Sequence, residues 1–266
     1  IYPPSAFSEE ESTQQLKRLT DTHIAQPSIG AVSSGFLDFA QRLGVQPDMT
    51  AGHSYGEYTA LYAAGVLSRE DFFMLSETRG RVMAQAQASD NDAGTMAAIY
   101  LPREQVEARL ANHDDVVIAN HNAPQQTVIS GATAAVKQLV AEFEREGVTA
   151  LMLPVSGAYH SRLMASAQEP LAKAIRKVKA ARPSLPVYGN STAAPYEDKL
   201  TLIREQLSNH LLSPVEFVGQ INAMYADGAR TFIELGPKSI LSKLVGQILQ
   251  NREHIAVALD GQGGGM

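Results

Sequence analysis

The chain has 266 residues, 44% of them hydrophobic, enough to bury a substantial core in one large domain or a domain carrying a smaller insert. With 28 acidic against 22 basic residues the formal charge is -6, which argues against nucleic-acid binding; the absence of cysteine excludes thiol nucleophiles, disulfides and cysteine-ligated metals. No apolar run approaches the ~20 residues that span a bilayer, and "IYPPSAFSEEE" lacks the charged and apolar regions of a secretion signal.

The chain starts at Ile1 and closes on "DGQGGGM", which reads as linker, so a piece of a longer polypeptide is expected. In "PSIGAVSSGFLDFAQRLG", Ile29, Val32, Phe36, Phe39 and Leu43 recur at steps of three and four, an amphipathic helix that Gly44 can stop. A short strand in "MTAG" follows Pro47, then a turn at Ser54, then a helix in "EYTALYAAG" ending at Gly65. Ser68 and Asp71 form a capping box for a helix running to about Ala88. Helix, strand, turn and helix in that order predict an α/β domain with a parallel sheet.

The rhythm then changes. "GTMAAIYL" reads as a strand, "PREQVEARLAN" as a helix opened by Pro102, and "VVIANHN" and "QTVISG" as strands. "ATAAVKQLVAEFEREG" reads as a helix and "VTALMLPV" as a strand. This is β-α-β-β-α-β, the ferredoxin-like unit, complete in itself. Residues 94–157 are therefore expected as an inserted ferredoxin-like small subdomain, with 1–93 and 158–266 forming the hydrolase-like large α/β subdomain. The later elements return to α/β: a long helix from Ser161 to about Ala181, a strand at "PVYGN", a helix near 216–227, a strand "RTFIEL", and a helix after Gly236-Pro237.

Gly52-His53-Ser54-Tyr55-Gly56 is G-x-S-x-G, set between a strand and a helix. Small flanking residues permit a sharp turn that exposes the Ser54 hydroxyl and faces the Tyr55 N–H toward an oxyanion. The plain alternative is a structural turn serine, and His53 is expected to pack or hydrogen-bond beside the turn. A serine nucleophile needs a base. Of seven histidines, His160 just precedes a helix, where the positive dipole end favours the neutral imidazole that can accept a proton. His121 reads as a structural histidine of the insert; His23, His113, His210 and His254 carry no local feature of this kind. On the helix opened by Ser68, Phe72, Leu75, Arg79, Val82, Met83 and Ala86 share one face, while Arg81 points away. An apolar stripe holding Arg79 calls for something negative, and the plain reading is an internal ion pair.

"AGHSYGEYTALYAAGVLS", "RGRVM", "NAPQQTVISG", "VSGAYHS" and "FIELGPKSIL" together resemble the malonyl-CoA:acyl carrier protein acyltransferases of fatty-acid and polyketide synthases. The resemblance is nearest to the acyltransferase domains of iterative polyunsaturated-fatty-acid and enediyne polyketide synthases, and covers nearly the whole chain in order. It implies Ser54 as the acylated nucleophile, His160 as its base, and Arg79 as the residue that binds the substrate carboxylate. Tyr159, before the histidine, is implied to select malonyl over methylmalonyl, although Gly157 departs from the family's first histidine in that motif. His210, at the start of "HLLSPVEF", is implied to orient His160 through its main-chain carbonyl, with histidine standing where the family has Gln or Asn. The resemblance further implies malonyl-CoA as substrate, the phosphopantetheine thiol of an acyl carrier protein as acceptor, neighbouring domains of a larger synthase as partners, a cytoplasmic location, and no metal or other bound cofactor. The family's G-Q-G-x-Q segment, which supplies a second oxyanion donor, has no counterpart here. Gly-Gln-Gly at 261–263 lies in the terminal linker without the following glutamine.

Two other functions fit parts of the pattern. An α/β-hydrolase-type esterase or thioesterase would take Asp227 and His254 as partners of Ser54, although no HGGG-type oxyanion motif is present. A non-catalytic docking domain would use the basic run "LAKAIRKVKAAR" to hold an acidic carrier protein, a run that equally suits the solvated face of a helix.

Overall fold

The structure, a computed structural model, describes residues 3–89, 92–111 and 113–261. Most of the predicted Gly-rich terminal linker, residues 262–266, lies outside the described residues. Two consecutive helices come first, α1 (Glu9–Thr20) and α2 (Thr22–Arg42). The side chain of Ser8 accepts from the Glu11 N–H at 3.1 Å and caps α1, an element the sequence reading did not contain.

α2 corrects the predicted packing. Its buried positions are Thr22, Gln26, Gly30, Ser33, Ser34, Leu37 and Ala40, whereas Phe39 and Leu43 are 56% and 67% exposed. The small residues face inward because the neighbouring element comes close: a Cβ on Gly30 would lie 2.1 Å from the Tyr55 hydroxyl. Helical periodicity located the helix and misassigned its face.

After the short strand β1 (Thr50–Ala51) the chain turns at Ser54 into α3 (Gly56–Ala63), followed by α4 (Arg69–Ser89). Gly65 ends α3 at φ 74°, the left-handed geometry that glycine adopts without a Cβ clash. The capping box of α4 is formed, with Ser68 Oγ accepting from the Asp71 N–H at 3.0 Å and donating to Asp71 Oδ2 at 2.9 Å. Phe72, Leu75, Arg79, Val82, Met83 and Ala86 are all buried, as the stripe predicts, and Arg81 reaches outward to Glu77 at 2.8 Å.

The ferredoxin-like unit runs β2 (Thr95–Ile99), α5 (Arg103–Leu110), β3 (Val116–Ala123), β4 (Gln126–Gly131), α6 (Thr133–Arg145) and β5 (Ala150–Met152). Its antiparallel sheet has the order β3-β4-β2-β5. β2 is buried on both faces. Ala97 and Ile99 pack with Val136, Leu139 and Phe143 of α6, and Met96 and Ala98 pack with Tyr159 on the other side. The unit is tied to the rest by Val215, whose N–H donates to the Ala119 carbonyl at 2.8 Å, and by Arg103, whose Nη1 donates to both Glu216 oxygens at 2.5 Å.

The remaining elements are a 3-10 turn (Arg162–Met164), α7 (Ala165–Lys177), β6 (Val187–Tyr188), α8 (Leu200–Asn209), α9 (Phe217–Ala226), β7 (Thr231–Glu234), α10 (Ile240–Ile248) and β8 (Ile255–Ala258). The expected helix from Ser161 is shorter at both ends, because Ser161 caps a 3-10 turn and Val178 is already extended. α8 and β8 are additions to the predicted set. The parallel strands form two pairs, β1 with β6 and β7 with β8. Among the described residues no helix is long and apolar enough to cross a membrane.

Candidate active site

The G-x-S-x-G segment forms a strained turn between β1 and α3. Ser54 has φ 49°, a left-handed conformation that costs a non-glycine residue about 1–2 kcal/mol. Gly52 is required there, since an added Cβ would sit 2.0 Å from the Gly56 backbone carbon. Tyr55 is the N-cap of α3, so its N–H belongs to the free donors of a helix start, and among the described residues it has no protein acceptor.

Ser54 Oγ lies 2.8 Å from His160 Nε2, across 106 residues of sequence. His160 Nδ1 faces two main-chain carbonyls, Ser213 at 2.9 Å and His210 at 3.2 Å. Carbonyl oxygens only accept, so Nδ1 carries the proton and Nε2 presents its lone pair to the serine hydroxyl. The carbonyl expected from His210 is therefore shared with that of Ser213, which is the nearer. The strand expected over "VTALMLPV" is shorter than read: β5 stops at Met152, and His160 occupies the loop after it at φ 57°. Burial, and then the nearby Arg79 charge, push its imidazole down to about 3.

Arg79 is 2% exposed. Its Nη1 donates to Gln26 Oε1 at 2.7 Å, its Nη2 lies 3.4 Å from both Ser54 Oγ and His210 Nδ1, and its guanidinium stands 5.6 Å over the Tyr58 ring. Among the described residues no carboxylate lies within ion-pair distance of it, and its Nε is buried without a partner. The internal ion pair expected on plain grounds is thus absent from the described residues. Gln26 was missed by the sequence reading; its place on the α2 face that packs against α4 was hidden by the wrong choice of face.

The His210 side chain is buried between Arg79 and Glu57. With Nδ1 receiving the Arg79 N–H, its proton sits on Nε2, 3.7 Å from Glu57 Oε2. That distance is too long for a hydrogen bond, and burial holds the imidazole well below its usual range, so the contact is no salt bridge. Glu57 itself is fully buried, and burial pushes its carboxyl up to about 7.

Tyr159 is half-buried beside the dyad, its hydroxyl accepting from Gln87 Nε2 at 2.9 Å. His53 packs edge-on against the Phe217 ring and pairs with Asn122 Oδ1 at 2.7 Å. His121 lies 4.0 Å from Glu216 Oε2. Asp227 accepts from the Tyr188 hydroxyl and His254 Nδ1 lies 2.8 Å from the Arg252 carbonyl. The described residues give neither Asp227 nor His254 a bond to Ser54 or His160.

The model of the acyl transferase domain family matches residues 8–259. The chain belongs to the acyl transferase domain family. A malonyl CoA-acyl carrier protein transacylase of Bacillus subtilis (strain 168) is 38% identical to this acyltransferase over 249 residues, covering 91% of this chain and 77% of that protein. A polyunsaturated fatty acid synthase polypeptide from Thraustochytrium sp. is 34% identical over 254 residues, which is 94% of this chain and 9% of the synthase polypeptide. The solved malonyl CoA-acyl carrier protein transacylase of Coxiella burnetii is 32% identical with a TM-score of 0.85, over 92% of this chain and 78% of that one. The acyltransferase thus spans most of a single-enzyme relative and a small part of the synthase polypeptide.

Proposed function

We propose that this acyltransferase moves a malonyl group from CoA to the phosphopantetheine thiol of an acyl carrier protein, through an ester on Ser54, in fatty-acid or polyketide synthesis. The observation that carries the reading is the Ser54–His160 contact with the proton placed on His160 Nδ1. The work is divided between the large subdomain, 1–93 with 158–266, which holds the dyad, and the small subdomain, 94–157, whose Asn122 reaches His53 beside it.

Ser54 Oγ attacks the thioester carbonyl carbon while His160 Nε2 takes the hydroxyl proton. The tetrahedral oxygen is met by the Tyr55 N–H, and a donor of this kind is worth about 2.7–4 kcal/mol of barrier. The C–S bond then breaks, the proton on Nε2 passes to the CoA sulfur, and the malonyl ester remains on Ser54. In the second half, the carrier thiol gives its proton to Nε2, its sulfur attacks the ester, and the C–O bond breaks. The proton then returns to Ser54 Oγ. Arg79, a buried cation with an unpartnered Nε, is suited to grip the malonyl carboxylate through its planar fork. The Tyr159 ring limits space beside the acyl α-carbon. The reaction as written uses only these side chains and the Tyr55 main-chain N–H, and routes no step through a metal or other bound cofactor. Neighbouring domains of a larger synthase are the expected setting, in the cytoplasm.

Intact-protein mass spectrometry after mixing with malonyl-CoA tests the first half, and addition of a phosphopantetheinylated carrier protein tests the second. One malonyl group on the protein, lost to the carrier thiol, is the expected result. Loss to water with no carrier product would instead identify a hydrolase.

A further inference from the structure

One side chain outside the dyad grips the entry to the strained turn at two points. Asn190, buried just after β6, accepts the Ser54 N–H on Oδ1 at 2.6 Å and donates from Nδ2 to the Gly52 carbonyl. The bonded groups belong to the two consecutive peptide units, Gly52–His53 and His53–Ser54, that lead into Ser54 and its left-handed φ of 49°. Asn190 is itself pinned, its own N–H donating to Glu57 Oε2 at 2.6 Å. The other Glu57 oxygen accepts from the Tyr196 hydroxyl. Because Glu57 lies in the first turn of α3, the bonds close a ring from Ser54 to Asn190 to Glu57 and back along the chain.

We propose that Asn190 is a positioning residue for the nucleophile, holding the Ser54 turn in register with His160, and that Glu57 fixes Asn190 in place. This rests on the reading of Ser54 as the acyl-carrying residue. A planar amide donates and accepts at the same time. An ionised carboxylate cannot donate, and an apolar side chain can do neither. Without the amide, the Ser54 N–H and Gly52 carbonyl lose their shared partner, and the turn is freed to leave its strained φ. Such a change rotates Oγ away from His160 Nε2 and the Tyr55 N–H away from the developing oxyanion. Asn190 has no bond to Arg79, so binding of the acyl carboxylate is left intact.

The test is single-turnover acylation of the protein by malonyl-CoA, compared among wild type, Asn190→Ala, Asn190→Asp and Ser54→Ala. Asn190→Ala is expected to lower the saturating rate by ten- to a hundredfold, with the half-saturating concentration within about twofold of wild type. Asn190→Asp supplies a readout that a purely structural role would not move. Its protonated carboxyl can both donate and accept, whereas its ionised form cannot donate. Its rate relative to wild type, measured in the same buffers, should therefore rise as pH falls. Referring each rate to wild type removes the titration of the groups around it, namely Glu57 and, beyond Glu57, Tyr196, His210 and Arg79.

A wild-type saturating rate in Asn190→Ala, a loss confined to half-saturation, or a pH-independent ratio for Asn190→Asp would overturn the assignment. If Asn190→Ala does not fold, the pH course of Asn190→Asp decides alone. An adduct that persists in Ser54→Ala overturns the nucleophile reading instead. An adduct lost there, with both Asn190 variants at the wild-type rate, overturns only the positioning role.

Discussion

Arg79 Nη1 donates to Gln26 Oε1 at 2.7 Å, so the buried cation on α4 is held by a neutral amide on α2. An amide orients a guanidinium without neutralising it, which leaves the charge available to an anionic ligand. Arg79→Ala should weaken malonyl acylation of Ser54 by about 3 kcal/mol, roughly a hundredfold, and leave acetyl acylation unharmed or improved. Gln26→Ala should act in the same direction with a smaller loss of about 1 kcal/mol. Rates with the two thioesters measure both, and an equal loss with each would make Arg79 a structural residue.

Ser54→Ala should abolish the malonyl adduct seen by mass spectrometry. His160→Ala should slow acylation and transfer to the carrier alike, each by about 10²–10⁴-fold, because in the proposed mechanism one imidazole serves both steps in turn. An unchanged transfer rate would move the second proton acceptor elsewhere.

His160 is held down to about 3, so it stays neutral and competent as a base well below the usual histidine range. Acylation carried by His160 should therefore show no acid limb near pH 6.5. Glu57, pushed up to about 7, should instead give an inflection there, and Glu57→Gln should remove it. The two groups act oppositely on stability. The lowered His160 contributes stability that is present above the unfolded value of 6.5 and lost as pH falls toward about 3. The raised Glu57 contributes stability that is present below the unfolded value of 4.5 and lost as pH rises through about 7. Denaturant melts of wild type and Glu57→Gln between pH 5 and 8 check the second sign. A stability difference between them that does not change with pH would show that Glu57 does not titrate there.

Tyr159, held by Gln87, should disfavour a methyl on the acyl α-carbon. One methyl is worth about 1–3 kcal/mol in a pocket, so wild type should prefer malonyl over methylmalonyl without rejecting the latter outright. Tyr159→Ser should raise methylmalonyl acylation relative to malonyl by about tenfold. Equal rates for the two thioesters in the wild type would remove Tyr159 from the selection.

Gly30→Ala should destabilise the fold by about 1–3 kcal/mol, since its Cβ would meet the Tyr55 hydroxyl at 2.1 Å. Chemical denaturation reads the loss. Because Tyr55 bonds Ser76 at 2.6 Å and begins α3, acylation should fall with it. An unchanged midpoint would show that the two helices separate freely.

Much of this protein could be read from short-range pattern. The Ser68–Asp71 capping box, the buried stripe from Phe72 to Ala86, the glycine stop at Gly65 and the G-x-S-x-G turn are relations between residues a few positions apart. Backbone sterics and helical period place the cap, the stripe, the stop and the turn along the chain. The β-α-β-β-α-β order was legible for the same reason. Tertiary structure alone decided which face of α2 is buried: Gly30 meets the Tyr55 hydroxyl, and Gln26, Ser33, Ser34 and Leu37 share its face. It also decided that Gln26 meets Arg79 across 53 residues, that the Ser213 carbonyl lies nearer His160 than that of His210, and that Asn190 closes the Ser54 turn across 136 residues. Each of those partners is an ordinary polar residue in its local sequence. Hydrogen bonding by a buried group is settled by whatever acceptor or donor the packed elements bring within about 3 Å, and no local period encodes that distance.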